Sequence, residues 1–354
     1  MFNKLSCKCK IVKNFSPSWF ASVMWTWILA ITSLFYSQYI PILKPISQLL
    51  FYFNILLFFF LLIPWILRWI FYTENAKKDL YHPIISNFYP TISVWLLVLA
   101  ANFIVIDNNI NIWWIFWGLG AFFTIIFALL VPFLSFKNTD IKIDHINPGW
   151  FIPPVWLIVI PIAWSMLIPY TSGILKEIII ITNFIWWWAG FFLYLGLLAI
   201  CLYRFIIHYP LPTTLAPTIW INLWPIWAGT VALINLIKNY NFISLKEPFF
   251  TFWFFIWWFG IWWVLMAIIM TIYYIKDLKL PYSMSWWAFT FPLWAYVAST
   301  HLIYKIFNIQ IIDYIWLVLY LLLFFLWSIT IIKTLLKTYD WSIFEDIKNN
   351  KNSN

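Results

Sequence analysis

Long apolar runs, broken by short charged or turn-rich segments, recur along the whole 354-residue chain. They predict helical spans near 16–37, 45–72, 83–106, 110–134, 150–171, 176–207, 212–238, 246–275, 284–306 and 311–338. Crossing a hydrocarbon core takes about 20 apolar residues per helix, so the pattern predicts an all-α polytopic membrane protein with ten transmembrane helices. Connections alternate between short links such as DNNIN (107–111) and longer charged ones such as SFKNTDIKIDHINPG (135–149). That alternation groups consecutive spans into five helical hairpins. The polar stretches 1–14 and 339–354 are expected as tails on one transmembrane domain, 15–338, and no separate soluble domain fits between them.

Composition excludes a soluble enzyme: 64% of residues are hydrophobic, only 9% are charged, and the mean hydropathy is +0.88. A net charge of +9 points to nucleic acid in a soluble protein, but in a membrane protein Lys and Arg collect in cytoplasmic loops. With the N-terminus inside, the outer side holds only Lys44, Lys176, Lys238, Lys246 and Lys305, and the other 16 of the 21 basic residues lie inside. The basic excess is therefore a topology signal: both tails are expected in the cytoplasm, the protein in the inner membrane, and nucleic acid is not a partner. MFNKLSCKCKIVKN is too polar for a cleavable signal. Cys7 and Cys9 lack further ligands for a metal, and Cys201 sits in an apolar run as a core residue. No cofactor is expected.

Proline separates the two members of each hairpin. Pro153, Pro154, Pro161 and Pro169 fall in span 5, Pro217 and Pro225 in span 7, Pro292 in span 9, whereas most even spans carry theirs near or beyond the ends. A proline inside a helix frees a carbonyl, which is tolerated in a membrane against protein or a water-filled cavity. Hydroxyl residues follow the same division, with Ser22 and Thr26 in span 1 and Thr91 and Ser93 in span 3. The odd spans are thus expected as an inner ring and the even ones as a lipid-facing ring, although any single proline also reads as an ordinary kink. Every Asp and Glu falls in a loop or at a span end, and His301 is the ionisable residue left within a span. A central pore without carboxylates, lined by hydroxyls and broken-helix dipoles, favours anions over cations. An enzyme of lipid chemistry lacks the His/Asp/Glu clusters it needs at the interface.

Five segments resemble one family: SPSWFASVMWTWILA (16–30), HPIISNFYPTISVWLLVLAA (82–101), NPGWFIPPVWLIVIPIAW (147–164), PTTLAPTIWINLWPIWAG (212–229) and SWWAFTFPLWAY (285–296). The family is that of tellurite-resistance/dicarboxylate transporters, which includes the bacterial tellurite-resistance protein A, fungal malic-acid transporters and the plant guard-cell slow anion channel. The resemblance implies five hairpins around a quasi-fivefold pore lined by spans 1, 3, 5, 7 and 9, assembled as a homotrimer. It also implies a pore-plugging phenylalanine, which falls on Phe291 of WAFTFP, with Phe289 as its competitor. In a chain that is 24% aromatic the same residue read alone is a packed core aromatic. His82, in the HisPro at the head of span 3, matches a family motif at the inner mouth.

One departure from the family pattern is systematic. Where the family has glycine this chain has Trp25, Trp27, Trp156, Trp164, Trp224, Trp227 and Trp294, and overall it has 29 Trp against 8 Gly. Glycine permits close helix approach, and an indole at each position fills that space. The hypothesis is that UGA codons, read as glycine in some bacterial codes, are rendered here as tryptophan. UGG codons at Trp25, Trp156 and Trp227 would sink it; a chain naturally rich in Trp at the membrane interfaces is the alternative.

The expected function is an anion channel or facilitator for small inorganic anions or C4-dicarboxylates, not an enzyme. The alternatives are a proton-coupled malate, tellurite or sulfite transporter, with His301, His82, His145 and His208 as its candidate proton groups, and a non-transporting membrane scaffold.

Overall fold

The structure, a computed structural model, describes residues 9–107, 109–238, 247–340 and 342, and the side chains of Trp25, Thr26, Trp27 and Trp227 lie outside the described part. Cys7 and most of the C-terminal tail also lie outside the described residues. The main helices are α1 (Trp19–Tyr36), α2 (Leu43–Phe71), α3 (Thr91–Val105), α4 (Ile110–Lys137), α5 (148–170), α6 (Gly173–Ile207), α7 (213–238), α8 (Glu247–Asp277), α9 (284–307) and α10 (Gln310–Tyr339). Among the described residues every regular element is helical, and the short helices Cys9–Lys13, Thr73–Leu80, Ile85–Phe88 and Ile143–His145 complete the set. The end that holds Cys9–Lys13 and the last turn of α10 is called the terminal end below, and the opposite one the far end.

Each odd helix packs on the even helix that follows it, giving five consecutive hairpins. The odd helices also pack on one another in sequence, α1 on α3, α3 on α5, α5 on α7, α7 on α9, and α9 back on α1. That closes a ring. The even helices lie outside it, each in the groove between its own partner and the next odd helix. Phe51 of α2 meets Phe103 of α3 at 5.3 Å between ring centroids, and Trp117 of α4 meets Trp164 of α5 at 4.1 Å. Around the ring, α6 touches α7, α8 touches α9, and α10 touches α1.

Burial follows from this arrangement. The most apolar windows of the five even helices are each 28% buried, whereas those through α3 and α7 are 72% and 88% buried. A helix apolar all round is a buried helix; α3, whose buried positions run unbroken from Ser93 to Phe103, is one. The even helices leave a face of exposed Leu, Ile and Phe, such as Leu56, Phe122, Phe192, Phe255 and Leu321, which only lipid can cover at this density. Among the described residues seven helices are long and apolar enough to cross a membrane: the five even ones, Ile85–Val105 and Thr213–Ile237. The chain is a multi-pass membrane protein.

Proline sets the shape of the inner ring. α5 is built from alternating α and 3₁₀ turns between Pro148 and Tyr170, because Pro153, Pro154, Pro161 and Pro169 withhold donors along it. α7 opens with a 3₁₀ stretch, Thr213–Asn222, around Pro217, and α9 opens with Met284–Phe289 before Phe291 and Pro292 start its α-helical part. Proline fits a first helical turn, where its missing N–H has no partner to lose. Two glycines mark close approaches: a Cβ on Gly190 of α6 would lie 2.6 Å from the Ile158 side chain and 3.1 Å from the Val155 carbonyl of α5. Gly120 of α4 meets the Leu97 backbone nitrogen of α3 in the same way, at 2.9 Å. Both follow a tryptophan by three residues, Trp117 in α4 and Trp187 in α6, and the sequence repeats that spacing at Trp257 and Gly260 of α8.

At the terminal end, buried Arg68 of α2 pairs with Asp79 at 2.5 Å and donates to the Phe15 carbonyl, so one guanidinium ties three segments together. Burial pushes the Asp79 carboxyl up, against the pull of Arg68. Arg204 of α6 repeats the arrangement by donating to the Tyr209 carbonyl at 2.9 Å.

Candidate functional site

A cavity of about 340 Å³ lies inside the ring. All five odd helices line it: Ile31 and Phe35 from α1, Leu97, Val98 and Ala101 from α3, Val159 and Ile162 from α5, Ala228 and Val231 from α7, and Ala298 from α9. These positions follow helical spacing, so each helix turns one continuous apolar stripe inward. On α9 the stripe runs Phe291, Trp294, Ala298, His301, Lys305, steps of three and four along its entire length.

Phe291 lies at the terminal-end limit of that stripe, 3% exposed. Its ring is flanked by Trp156 of α5 at 5.8 Å, Trp224 of α7 at 5.6 Å and Trp294 one turn on at 6.1 Å. Trp156 and Trp224 meet edge to face at 5.5 Å, the arrangement aromatic quadrupoles prefer. Phe291 thus sits in a cluster of four aromatic rings drawn from α5, α7 and α9. Phe289 is equally buried but packs on Trp220 and Trp286 and does not line the cavity. Of the two phenylalanines, the structure therefore brings Phe291 to the cavity.

The hydroxyl residues sit elsewhere. Ser22 donates to the Trp19 carbonyl at 2.7 Å, Thr91 to Phe88 and Pro17, and Ser93 to Pro90 while accepting from Thr124 of α4 at 3.0 Å. None of them lines the cavity, nor do Pro153, Pro154, Pro161, Pro217, Pro225 or Pro292. In an apolar helix a hydroxyl is best satisfied by a carbonyl one turn back, and the walls of this cavity are mainly aliphatic. The prolines act one layer back, by shaping the backbone that carries those walls.

At the far end the cavity lining turns polar with Asn235 of α7, His301 and Lys305. In the sequence Lys305 reads only as an outer-side charge, and Asn235 does not stand out. The signal was present: extending the face that begins at Phe291 by helical steps reaches both His301 and Lys305. His82, by contrast, lies at the terminal end, exposed, with its Nδ1 accepting the backbone N–H groups of Ile84 and Ile85 at 3.2 and 3.3 Å. His208 meets Asp144 at 2.9 Å, and the Nδ1 of His145 accepts the Lys142 N–H at 3.2 Å. Among the described residues no three His, Cys, Asp or Glu side chains gather to hold a metal.

The sequence matches the family described as voltage-dependent anion channel, SLAC1, over residues 14–335. Two uncharacterized transporters of Methanocaldococcus jannaschii are each 59% identical to it, one over 98% of this chain and 99% of its own, the other over 95% and 98%. A sulfite efflux pump of Arthroderma otae is 24% identical over 85% of both chains. Coverage of the whole ring of helices, from before α1 into α10, makes the chain a member of the SLAC1 family of anion transporters, the family to which its five proline-rich motifs already pointed.

Proposed function

We propose that this protein is a passive anion channel or facilitator whose path runs along the axis of the ring formed by α1, α3, α5, α7 and α9, closed at Phe291 in this conformation. The observation that carries the reading is the cavity itself: it is enclosed by all five odd helices, no acidic residue lines it, and it ends against Phe291. A constriction of aromatic rings blocks ions by sterics and by excluding water. On this reading all ten helices cross the inner membrane, and the 16 to 5 split of basic residues supports cytoplasmic ends. The trimer implied by the resemblance belongs to the same proposal. Sulfite, which the fungal relative is named for, joins chloride, nitrate, malate and tellurite as an anion to try.

His301 on the cavity wall favours one second reading, a proton-coupled carrier of dicarboxylates or sulfite. Flux in proteoliposomes, with membrane potential and pH gradient set independently, separates the two. Potential-driven anion flux that needs no proton gradient and rises in Phe291→Ala is the expected result. Uptake that follows the proton gradient would establish the carrier, and no flux from either protein would leave a scaffold.

A further inference from the structure

We propose that Lys305, His301 and Asn235 form an anion-binding site at the far end of the cavity, built to receive a small oxyanion before it reaches the constriction. The proposal rests on the reading of the cavity as an anion path but is testable without transport.

The rest of the described lining is almost wholly apolar, so these three side chains hold most of its polar recognition capacity. Lys305 and His301 are four residues apart on α9, one turn, and face the same cavity. Asn235 comes from α7, which packs on α9. Lys305 is solvent-exposed and has no acidic partner among the described residues, so its charge is uncompensated at the cavity's mouth. Asp313 of α10, the helix that packs on α9, lies beside Tyr36 and Tyr39.

His301 is 4% exposed and its ring is held between Phe35 of α1, stacked at 5.6 Å, and Trp316 of α10, at 4.0 Å. Its Nδ1 is buried with no hydrogen-bond partner, which leaves Nε2 as the atom through which the ring can serve a ligand. The two flanking rings hold the imidazole in place at the cavity wall. A lysine ammonium, an imidazole and an amide, drawn from two helices, bring several N–H groups to one end of the cavity. Several donors suit an anion with several oxygen acceptors better than a spherical halide. Behind the site the aliphatic walls strip water, so the ion exchanges its hydration for these donors first.

The test is anion-dependent thermal stability of the purified full chain in detergent, titrated with sodium nitrate and with sodium chloride at matched ionic strength. Only an anion bound by the folded protein raises the midpoint with saturation. Wild type should show saturable stabilisation by nitrate, at least threefold tighter than by chloride. The half-saturating nitrate concentration should rise at least fivefold in Lys305→Gln and His301→Phe and stay near wild type in Lys305→Arg. Equal titrations for wild type and Lys305→Gln, or chloride as tight as nitrate, would overturn the site. Liposome flux on the same proteins is read separately: binding that depends on Lys305 without any flux keeps the site and removes the channel, and flux without such binding does the reverse.

Discussion

Two groups of buried tryptophans lie one helix layer apart, and they are treated differently. Trp187, Trp257 and Trp263, on α6 and α8, reach across to the inner ring and donate to the Gly229 carbonyl at 2.9 Å, Thr300 Oγ1 at 2.9 Å and the Ile219 carbonyl at 3.0 Å. Trp156, Trp164, Trp224 and Trp294, on the inner helices, bury their indole N–H with no partner. A buried donor without an acceptor costs about 1–3 kcal/mol, so the outer indoles join two layers while the inner ones only occupy volume. The inner four are positions where the resemblance implies glycine. Outer-layer Trp113, Trp117 and Trp253 share the deficit, so lack of a partner does not by itself mark a misplaced indole. What sets the inner four apart is that combination of an unsatisfied donor with a motif position, and for Trp156, Trp224 and Trp294 contact with Phe291 as well.

The largest effect should come from removing the two indoles that meet edge to face beside Phe291. Trp156→Gly combined with Trp224→Gly takes away two of the three rings packed on Phe291. Anion flux in proteoliposomes is expected to rise more than tenfold over the chain as given, and unchanged flux would break the link between these indoles and closure. Intact mass of the protein made in its native host tests the coding hypothesis separately. Glycine masses at Trp25, Trp156 and Trp227 would show that the crowding is a decoding artefact, whereas tryptophan masses would make it a real property of the closed ring.

Phe291→Ala alone should act in the same direction and less strongly, because Trp156 and Trp224 remain edge to face at the same level. We expect a flux increase of about threefold to tenfold, on the scale that one aromatic in a shared constriction represents. If Phe291→Ala exceeds the double tryptophan variant, Phe291 is the sole plug and the indoles are ordinary packing. Phe289→Ala, whose ring packs away from the cavity on Trp220 and Trp286, should leave flux at the wild-type level.

A third pair of variants measures the hydrogen-bond contrast directly. Trp257→Phe removes the donor to Thr300, whose hydroxyl still donates to the Tyr296 carbonyl at 2.7 Å; a net loss of about 1 kcal/mol follows from one hydrogen bond, beyond the change in ring size. Trp164→Phe makes the same change in ring size, keeps an aromatic against Trp117, and removes an N–H that had no partner. It should cost less than half as much, or stabilise. Equal losses in thermal unfolding would show that the N–H groups do not distinguish the two layers.

The ring was legible in the sequence because proline is costly where lipid meets backbone, and seven prolines in spans 5, 7 and 9 marked the helices that the fold encloses. Span limits came close as well: 45–72 against Leu43–Phe71, and 176–207 against Gly173–Ile207. The lining was less legible. Ser22, Thr91 and Ser93 stand out in the sequence as hydroxyls on odd spans, but each also bonds a backbone carbonyl three residues back, and polarity alone does not tell a wall residue from a self-satisfied one. Lys305 was counted for topology, and its second role shows only when the α9 face is followed turn by turn from Phe291. Trp187 and Trp257 were invisible as interlayer donors, since their acceptors lie 42 and 43 residues away in the chain, a distance no local pattern reports.

The histidines repeat the contrast on a smaller scale, with one ring nitrogen partnered at the terminal end and one unpartnered in the ring. His301 buries its Nδ1 without a partner, whereas His82 spends its Nδ1 on the Ile84 and Ile85 N–H groups at the head of α3. That capping needs a lone pair on Nδ1, so it requires the neutral ring. Although His82 keeps an accessible edge, partial desolvation of its ring lowers its pKa, with Asp79 opposing and His145 assisting. A histidine whose folded value is depressed adds stability above its unfolded value, about 6.5, and loses it as pH falls below that value. The turn at 82–88 should therefore loosen on acidification from about pH 7.5 to about pH 5.5. The effect is local, under about 1 kcal/mol as for other exposed caps. Hydrogen exchange at the Ile84 and Ile85 amides, corrected for the intrinsic pH dependence, reads it out. His82→Asn, which keeps a side-chain acceptor that does not titrate, should hold protection constant over the same range. Protection that is flat in wild type would mean that the Nδ1 contacts carry no weight, and that only the indoles, not the imidazoles, separate partnered from unpartnered polar groups in this fold.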